Sequence, residues 1–158
     1  MKKKIAIGLV LVILVLTALA LMLRQNPRGM KDGYYTAEMA EFDEYGWKEY
    51  LCIQIKKGKI VSAEFNARNA SGFIKAWDNS YMKNMLTVTG TYPNKYTREY
   101  VQKLLDQQMD TDIDAISGAS NSGNNFKKLA AVAVEQAKKG NSNTKIVESE
   151  YFAVNEAE

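Results

Sequence analysis

The chain has 158 residues and a formal charge of +3 at neutral pH, and the three lysines at positions 2–4 account for that whole excess. The rest of the sequence has no block of basic residues, which argues against binding to nucleic acid. It has no histidine and a single cysteine, Cys52, which excludes zinc sites, histidine-based triads, Cys–His nucleophile pairs and an internal disulfide.

The first predicted element is an apolar helix. Ile5–Leu23 contains nineteen residues without a charge, long enough to cross a bilayer, and the preceding lysines are expected to stay in the cytoplasm. Ala18-Leu19-Ala20 is similar to a signal-peptidase site, but the apolar run continues past it, which favours an uncleaved anchor. We predict a transmembrane anchor over residues 1–23 and a polar tether over residues 24–31. Lipid attachment is disfavoured because no cysteine lies near the end of the apolar run.

Alternation of apolar and polar residues predicts a sheet after the tether. The expected strands are Tyr34–Phe42, Trp47–Lys56 and Lys59–Phe65, with turns at Asp43–Gly46 and Lys57–Gly58. Short turns between neighbouring strands imply an antiparallel meander with one buried face. A further short strand is expected within Thr144–Val154.

Two helices are predicted between the sheet and a glycine-rich loop. The first covers about Ser71–Thr87, and the second covers Lys95–Met109. If the first segment is helical, Trp77 and Tyr81 are four residues apart and project together. The alternative for this aromatic pair is that it fills the core under the sheet.

A loop of small and polar residues leads into the last predicted helix. The loop is Asp114–Asn125, and the helix that follows has a regular apolar face formed by Phe126, Leu129, Ala130, Ala133, Val134 and Ala137. Hydroxyls at Ser117, Ser120 and Ser122 are suited to cap the free N–H groups of its first turn. A helix start of this kind also attracts anions such as phosphate. We therefore predict one α+β domain over residues 32–140, with an antiparallel sheet packed against helices, and a C-terminal extension over residues 141–158.

The loop sequence Asp-Ala-Ile-Ser-Gly-Ala-Ser, at positions 114–120, resembles the FMN-attachment motif of the FMN-binding domain family. This family includes the covalently flavinylated subunits of the sodium-pumping quinone reductase and the Rnf complex, and extracellular flavin lipoproteins. The opening Asp-Gly-Tyr-Tyr-Thr, at positions 32–36, is also similar to that of small membrane-anchored members, so the resemblance spans Asp32–Lys139. The matching acceptor of FMN is Ser120, where threonine is the commoner residue.

The resemblance implies FMN joined to Ser120 through a phosphoester, installed by a separate flavin transferase that uses FAD and Mg²⁺. Asp114 and Gly118 would belong to the sequence that this enzyme recognises, and Ser117, Ala119 and Ser122 to the loop that holds the phosphate. Trp77 and Tyr81 are the candidate wall for the flavin ring. The expected protein is a membrane-tethered electron carrier on the outer face of a bacterial cytoplasmic membrane, with an unidentified redox donor and acceptor.

Three alternatives stay open at this point. The first is a module that binds FMN without a covalent bond, through the loop donors and by stacking on the aromatic pair. The second is a flavin-free surface interaction protein with the same domain. An enzyme with its own substrate comes last, because the sequence contains no convergent set of catalytic side chains.

Overall fold

A computed structural model describes residues 12–17 and 29–148 of the chain. Residues 12–17 are helical and their side chains are exposed. No helix within those two ranges has both the length and the hydropathy needed to cross a bilayer. Most of the predicted anchor Ile5–Leu23, most of the tether and residues 149–158 lie outside the described residues.

A four-stranded sheet forms one layer of the domain. Its strands are β1 (Gly33–Met39), β2 (Lys48–Lys56), β3 (Lys59–Arg68) and β4 (Lys145–Val147), in the spatial order β3-β2-β1-β4. The pairs β1–β2 and β2–β3 are antiparallel, which confirms the predicted meander. Strand β4 pairs with β1 in parallel, so the predicted extra strand exists but is only three residues long among the described residues.

The two turns of the meander follow from local chemistry. The Asp43 carboxylate accepts hydrogen bonds from the backbone N–H groups of Tyr45 and Trp47, at 3.0 and 2.7 Å, which closes the turn between β1 and β2. Lys57 and Gly58 both have positive φ, 53° and 68°, as a two-residue hairpin of type I′ requires. Strand β1 ends at Met39, three residues before the predicted end, because the chain turns away towards Asp43.

Three α-helices and one short 3₁₀ helix complete the domain. The 3₁₀ helix is Lys75–Trp77, and the α-helices are α1 (Asn79–Thr89), α2 (Pro93–Gln107) and α3 (Ser120–Lys139). The prediction of one helix over Ser71–Thr87 is wrong in its first half. The side chain of Asn69 accepts hydrogen bonds from the N–H groups of Ser71 and Phe73 and forms a turn there. Asp78 then begins α1 by accepting a hydrogen bond from the N–H of Tyr81, at 2.9 Å.

The core lies between one face of the sheet and helices α2 and α3. All six residues of the predicted apolar face of α3 are buried, and so are the alternating Leu51, Ile53 and Ile55 of β2. Aromatic rings join the layers: Phe65 of β3 lies 4.8 Å from Phe126 of α3, measured between ring centroids. Mixed α+β architecture with a mainly antiparallel sheet is thus confirmed.

The chain enters the domain beside the C-terminal end of α3. The backbone N–H of Lys31 donates to the carbonyl of Ala137 at 2.9 Å, and its ammonium group donates to the carbonyl of Lys139 at 3.1 Å. Lysine side chains complement the partial negative charge at a helix C-terminus. This contact fixes the start of the domain at one end of the long helix.

Truncation of a core side chain in α3 is expected to weaken the fold strongly. Leu129 is fully buried, and Leu129→Ala should lower the free energy of unfolding by about 3 to 5 kcal/mol, because the change loses apolar burial and leaves a cavity. Urea unfolding followed by circular dichroism measures the loss. Val61→Ala, at a half-exposed position of β3, is the control and should change stability by about 0.5 kcal/mol or less.

Candidate functional site

A cleft opens where the first turn of α3 faces helix α1. Its volume is about 650 Å³, within the range of small-molecule sites. Helix α1 forms one wall with Tyr81, Asn84, Met85 and Val88, the Asp43–Tyr45 turn lies at one side, and Gly118–Ser122 forms the opposite wall. None of the residues of α1 is fully buried, so this helix is mainly a cover for the cleft rather than part of the core.

The N-terminus of α3 presents unpaired hydrogen-bond donors to this cleft. Ala119 occupies the N-cap position and has no side-chain oxygen, so the expectation that serine hydroxyls cap the helix is wrong. The N–H groups of Ser120, Asn121 and Ser122 have no intrahelical partner in a first turn. Together with the helix dipole, they provide a favourable position for an anionic group.

A tyrosine of α2 fixes the turn that precedes α3. The Tyr100 hydroxyl accepts a hydrogen bond from the backbone N–H of Ile116 at 2.8 Å and donates to the carbonyl of Ala119 at 3.2 Å. Gly123 makes this arrangement possible, because a Cβ at that position would collide with the Tyr100 hydroxyl. The hydroxyl therefore joins both ends of the Ile116–Ala119 turn and determines where Ser120 lies.

Removal of this hydroxyl is expected to loosen the turn while the core stays intact. Tyr100→Phe keeps the ring that stacks on Phe126 but removes the hydrogen-bond partner of the Ile116 N–H, at a cost of about 1 to 3 kcal/mol, while the Ala119 carbonyl keeps its bond from the Gly123 N–H. Amide hydrogen exchange should accelerate at Ile116, and urea unfolding should report the loss of stability. Tyr92→Phe, which alters a half-buried tyrosine whose hydroxyl makes no hydrogen bond with the described residues, should leave both measurements unchanged.

The predicted loop residues lie partly inside the cleft and partly outside it. Gly118, Ala119, Ser120 and Ser122 line the cleft, and Ser120 is exposed. The Ser122 hydroxyl is buried and donates to the hydroxyl of Tyr96 at 3.4 Å. Ser117 and Asp114 are exposed and lie outside the lining. The backbone carbonyl of Asp114 accepts a hydrogen bond from the ammonium of Lys103.

The predicted pairing of Trp77 and Tyr81 is wrong. Asp78 separates the 3₁₀ helix that contains Trp77 from the α-helix that contains Tyr81, so the two side chains do not share a helical face. Trp77 is 65% exposed and lies outside the cleft lining. Tyr81 does line the cleft, where its ring meets that of Trp47 edge-on at 5.9 Å. Tyr81, Met85 and Val88 form the wall in place of the predicted pair.

Two buried charged residues in the cleft were not predicted. Lys75 is 4% exposed and Glu49 is 6% exposed, and both line the cleft. The signal for Glu49 was present in the sequence, because it alternates in phase with the inward-facing Leu51 and Ile53 of β2. The sequence indicated the burial of Lys75 less clearly, by a single cation within a short apolar stretch. Asn125 of α3 donates to the Glu49 carboxylate at 2.8 Å and holds it in place.

The charges in the cleft are coupled to one another. Burial by itself lowers the pKa of Lys75, but the potential from Tyr96, Glu49 and further neighbours outweighs burial and raises the pKa above the ordinary lysine value. Lys75 is therefore a cation at neutral pH. Burial also raises the pKa of Tyr96 to about 12, so its hydroxyl keeps its proton and stays a hydrogen-bond donor.

The lining is compatible with a phosphorylated flavin on three counts. The donors at the start of α3 suit a phosphate, the wall of Tyr81, Met85 and Val88 suits a flat apolar ring, and the volume suits a cofactor of that size. Three carboxylates also line the cleft: Asp43 and Glu44 lie on the turn at its border, and Glu49 of β2 is hydrogen-bonded to Asn125 of α3. An exposed hydroxyl at Ser120 lies next to the donors.

The domain thus belongs to the class of two-layer α+β proteins, with a ligand-sized cleft at a helix N-terminus. Over 109 residues, 69% of this chain and 77% of the relative, the sequence is 30% identical to the 15 kDa lipoprotein of Treponema pallidum strain Nichols. The chain belongs to the family of that lipoprotein.

One solved crystal structure supports this fold. A Clostridium perfringens protein of known crystal structure is 37% identical, with a TM-score of 0.74 over 77% of this chain and 99% of that chain. A Clostridium thermocellum protein of known solution structure is 33% identical over 68% of this chain and 92% of that chain, with a TM-score of 0.44. No family model matches the chain. The flavin stays a prediction after these comparisons.

Proposed function

We propose that this protein is an electron carrier with FMN joined to the Ser120 hydroxyl through a phosphoester. The observation that carries the proposal is the position of Ser120. Its side chain is exposed at the first residue of α3, beside uncapped N–H groups and on the wall of a 650 Å³ cleft. A phosphate on this hydroxyl would meet the helix donors without any basic side chain in the loop.

The chain's own residues have defined tasks in this proposal. The first-turn N–H groups of α3 would hold the phosphate, and the Tyr100 hydroxyl would keep the Ile116–Ala119 turn in place. Tyr81, Met85 and Val88 would cover the ring and exclude water from one side. When bound, FMN supplies one- and two-electron redox chemistry that no side chain of the protein offers.

Attachment would require a separate enzyme. In a balanced transfer from FAD, the Ser120 oxygen replaces AMP on the flavin-side phosphorus, the phosphoanhydride bond breaks, AMP leaves and the serine proton passes to solvent. The chain has no histidine, and among the described residues no base is hydrogen-bonded to the Ser120 hydroxyl to activate it. A flavin transferase that uses FAD and Mg²⁺ is therefore the expected partner, and its access is provided by the exposed Ser117 and Asp114.

We further propose that the domain is tethered to the outer face of the cytoplasmic membrane. The name of the Treponema pallidum relative, a lipoprotein, supports membrane association of the family. In this chain the single cysteine lies on β2 within the domain, so an apolar N-terminal anchor over residues 1–23 is the proposed means of attachment. A covalent cofactor suits that location, since a dissociated FMN would be lost to the extracellular volume.

The test is the intact mass of the protein purified from its own host, combined with in-gel fluorescence after denaturing electrophoresis. A mass excess equal to FMN less one water, with fluorescence that stays on the band, is the expected result. Flavin that co-purifies but separates on denaturation would indicate a non-covalent FMN-binding module, for which the cleft wall also provides contacts. An unmodified mass with no bound flavin would overturn the proposal. The same mass reports whether residues 1–23 are retained.

A further inference from the structure

We propose that Lys75 is the cationic group that favours the reduced, negatively charged form of a flavin held in this cleft. This inference rests on the proposed function. Lys75 is the one basic side chain among the described residues that line the cleft. A charge near the redox-active nitrogens of a flavin is one of the ways in which a protein adjusts its reduction potential.

The ammonium group of Lys75 is held at a fixed position. It lies 3.6 Å from the Asp43 carboxylate, whose other oxygen is bound by the turn N–H groups of Tyr45 and Trp47. It also lies 4.9 Å from the ring centroid of Tyr81, the residue that begins the apolar wall. Lys75 therefore belongs to the same part of the cleft as the wall that would cover the ring.

Because Lys75 is buried, its charge would act strongly on a flavin in the cleft. The side chain of Lys75 is 6% exposed, so water screens its field much less than it screens a surface lysine. Glu49 of β2, also buried, provides an opposing negative charge and is held by Asn125. Lys75 and Glu49 are expected to act on the cofactor in opposite directions.

The redox step explains the sign of the effect. Addition of two electrons and one proton to an oxidised flavin leaves the ring with one negative charge. A nearby cation stabilises that product relative to the neutral oxidised ring, so it raises the reduction potential, and a nearby carboxylate lowers it. The electrons in the test come from dithionite, a sulfur oxyanion reductant, and the proton comes from the buffer.

The test is a redox titration of the full-length, detergent-solubilised, flavinylated protein against reference dyes. Lys75→Met should shift the ratio of reduced to oxidised cofactor at a given potential at least tenfold towards the oxidised form, about 30 mV for a two-electron couple. Lys95→Met removes an exposed lysine of α2 that lies outside the cleft lining and should leave the potential unchanged. An unchanged potential in Lys75→Met would overturn the inference.

A second variant keeps the inference testable if Lys75→Met does not fold. Glu49→Gln preserves shape and leaves the Lys75–Asp43 pair intact, so it should fold and should raise the potential. A fall or no change in Glu49→Gln would overturn the inference. Wild-type protein without any flavin would instead overturn the proposed function, so the two failures give different results.

Discussion

Ser120→Ala is expected to abolish all flavin that survives denaturation, while the wild-type protein keeps it. The hydroxyl oxygen is the proposed point of attachment, and alanine offers no atom that can replace it. The fold should be unaffected, because Ser120 is exposed and its side chain does not cap the helix. The stability change should be about 0.5 kcal/mol or less. In-gel fluorescence and intact mass after co-expression with a flavin transferase measure the outcome.

Two control variants distinguish loss of the attachment point in Ser120→Ala from general damage to the loop. Ser117→Ala removes an exposed hydroxyl from the same loop, three residues earlier, and should keep the flavin. Ser120→Thr retains a hydroxyl at the attachment point and should also keep it. Equal flavin in Ser120→Ala and wild type would show that the attachment point lies elsewhere. A loss in both serine-to-alanine variants would point to general damage to the loop.

Gly118→Ala is expected to lower the free energy of unfolding by about 2 to 5 kcal/mol, from left-handed backbone strain and steric overlap together. Gly118 has φ of +78°, and a Cβ there would lie 2.5 Å from the backbone oxygen of Thr89 and 3.0 Å from its Cβ. The loop and the end of α1 would have to separate. Because Ser120 lies two residues later, flavin attachment should fall as well.

The matched control is Gly90→Ala, at the C-cap of α1. Gly90 has nearly the same φ, +73°, but nothing lies within 4 Å of the position that its Cβ would take. This variant should therefore show the backbone strain alone, about 1 to 2 kcal/mol. Urea unfolding of the two variants gives the difference. Equal losses in both would contradict the close approach between Gly118 and Thr89.

The sequence predicts the regular parts of this domain because their signals are local. The alternation in β2 and the apolar face of α3 each arise because one side of a single element is buried. Both elements could therefore be predicted without knowing what they pack against. The loop at positions 114–120 was located for the same reason, since small residues before a helical pattern are a local signal. Its exposed Ser120 lies on a cleft as a ligand site requires.

The errors and omissions concern hydrogen bonds and ion pairs that single side chains make. Whether Trp77 and Tyr81 share a face was decided by Asp78, whose side chain caps α1 and ends the 3₁₀ helix before it. The role of Tyr100 depends on a hydroxyl that reaches a loop sixteen residues further on, at Ile116. Lys75 is buried because acidic residues of other elements, Glu49 and Asp43, compensate its charge. No periodicity in the sequence encodes such pairings.

The entry of the chain at Lys31 has a consequence for electron exchange. Lys31 is bound at the end of α3, whereas Ser120 begins that helix, and twenty residues of α-helix span about 30 Å. If the N-terminus holds the protein at the bilayer, the proposed flavin at Ser120 would therefore lie at the end of the domain that is farthest from the membrane. A quinone dissolved in the hydrocarbon layer would be too far below it. For the proposed electron carrier, the fitting donor or acceptor would be a protein whose own redox group also projects well above the membrane surface.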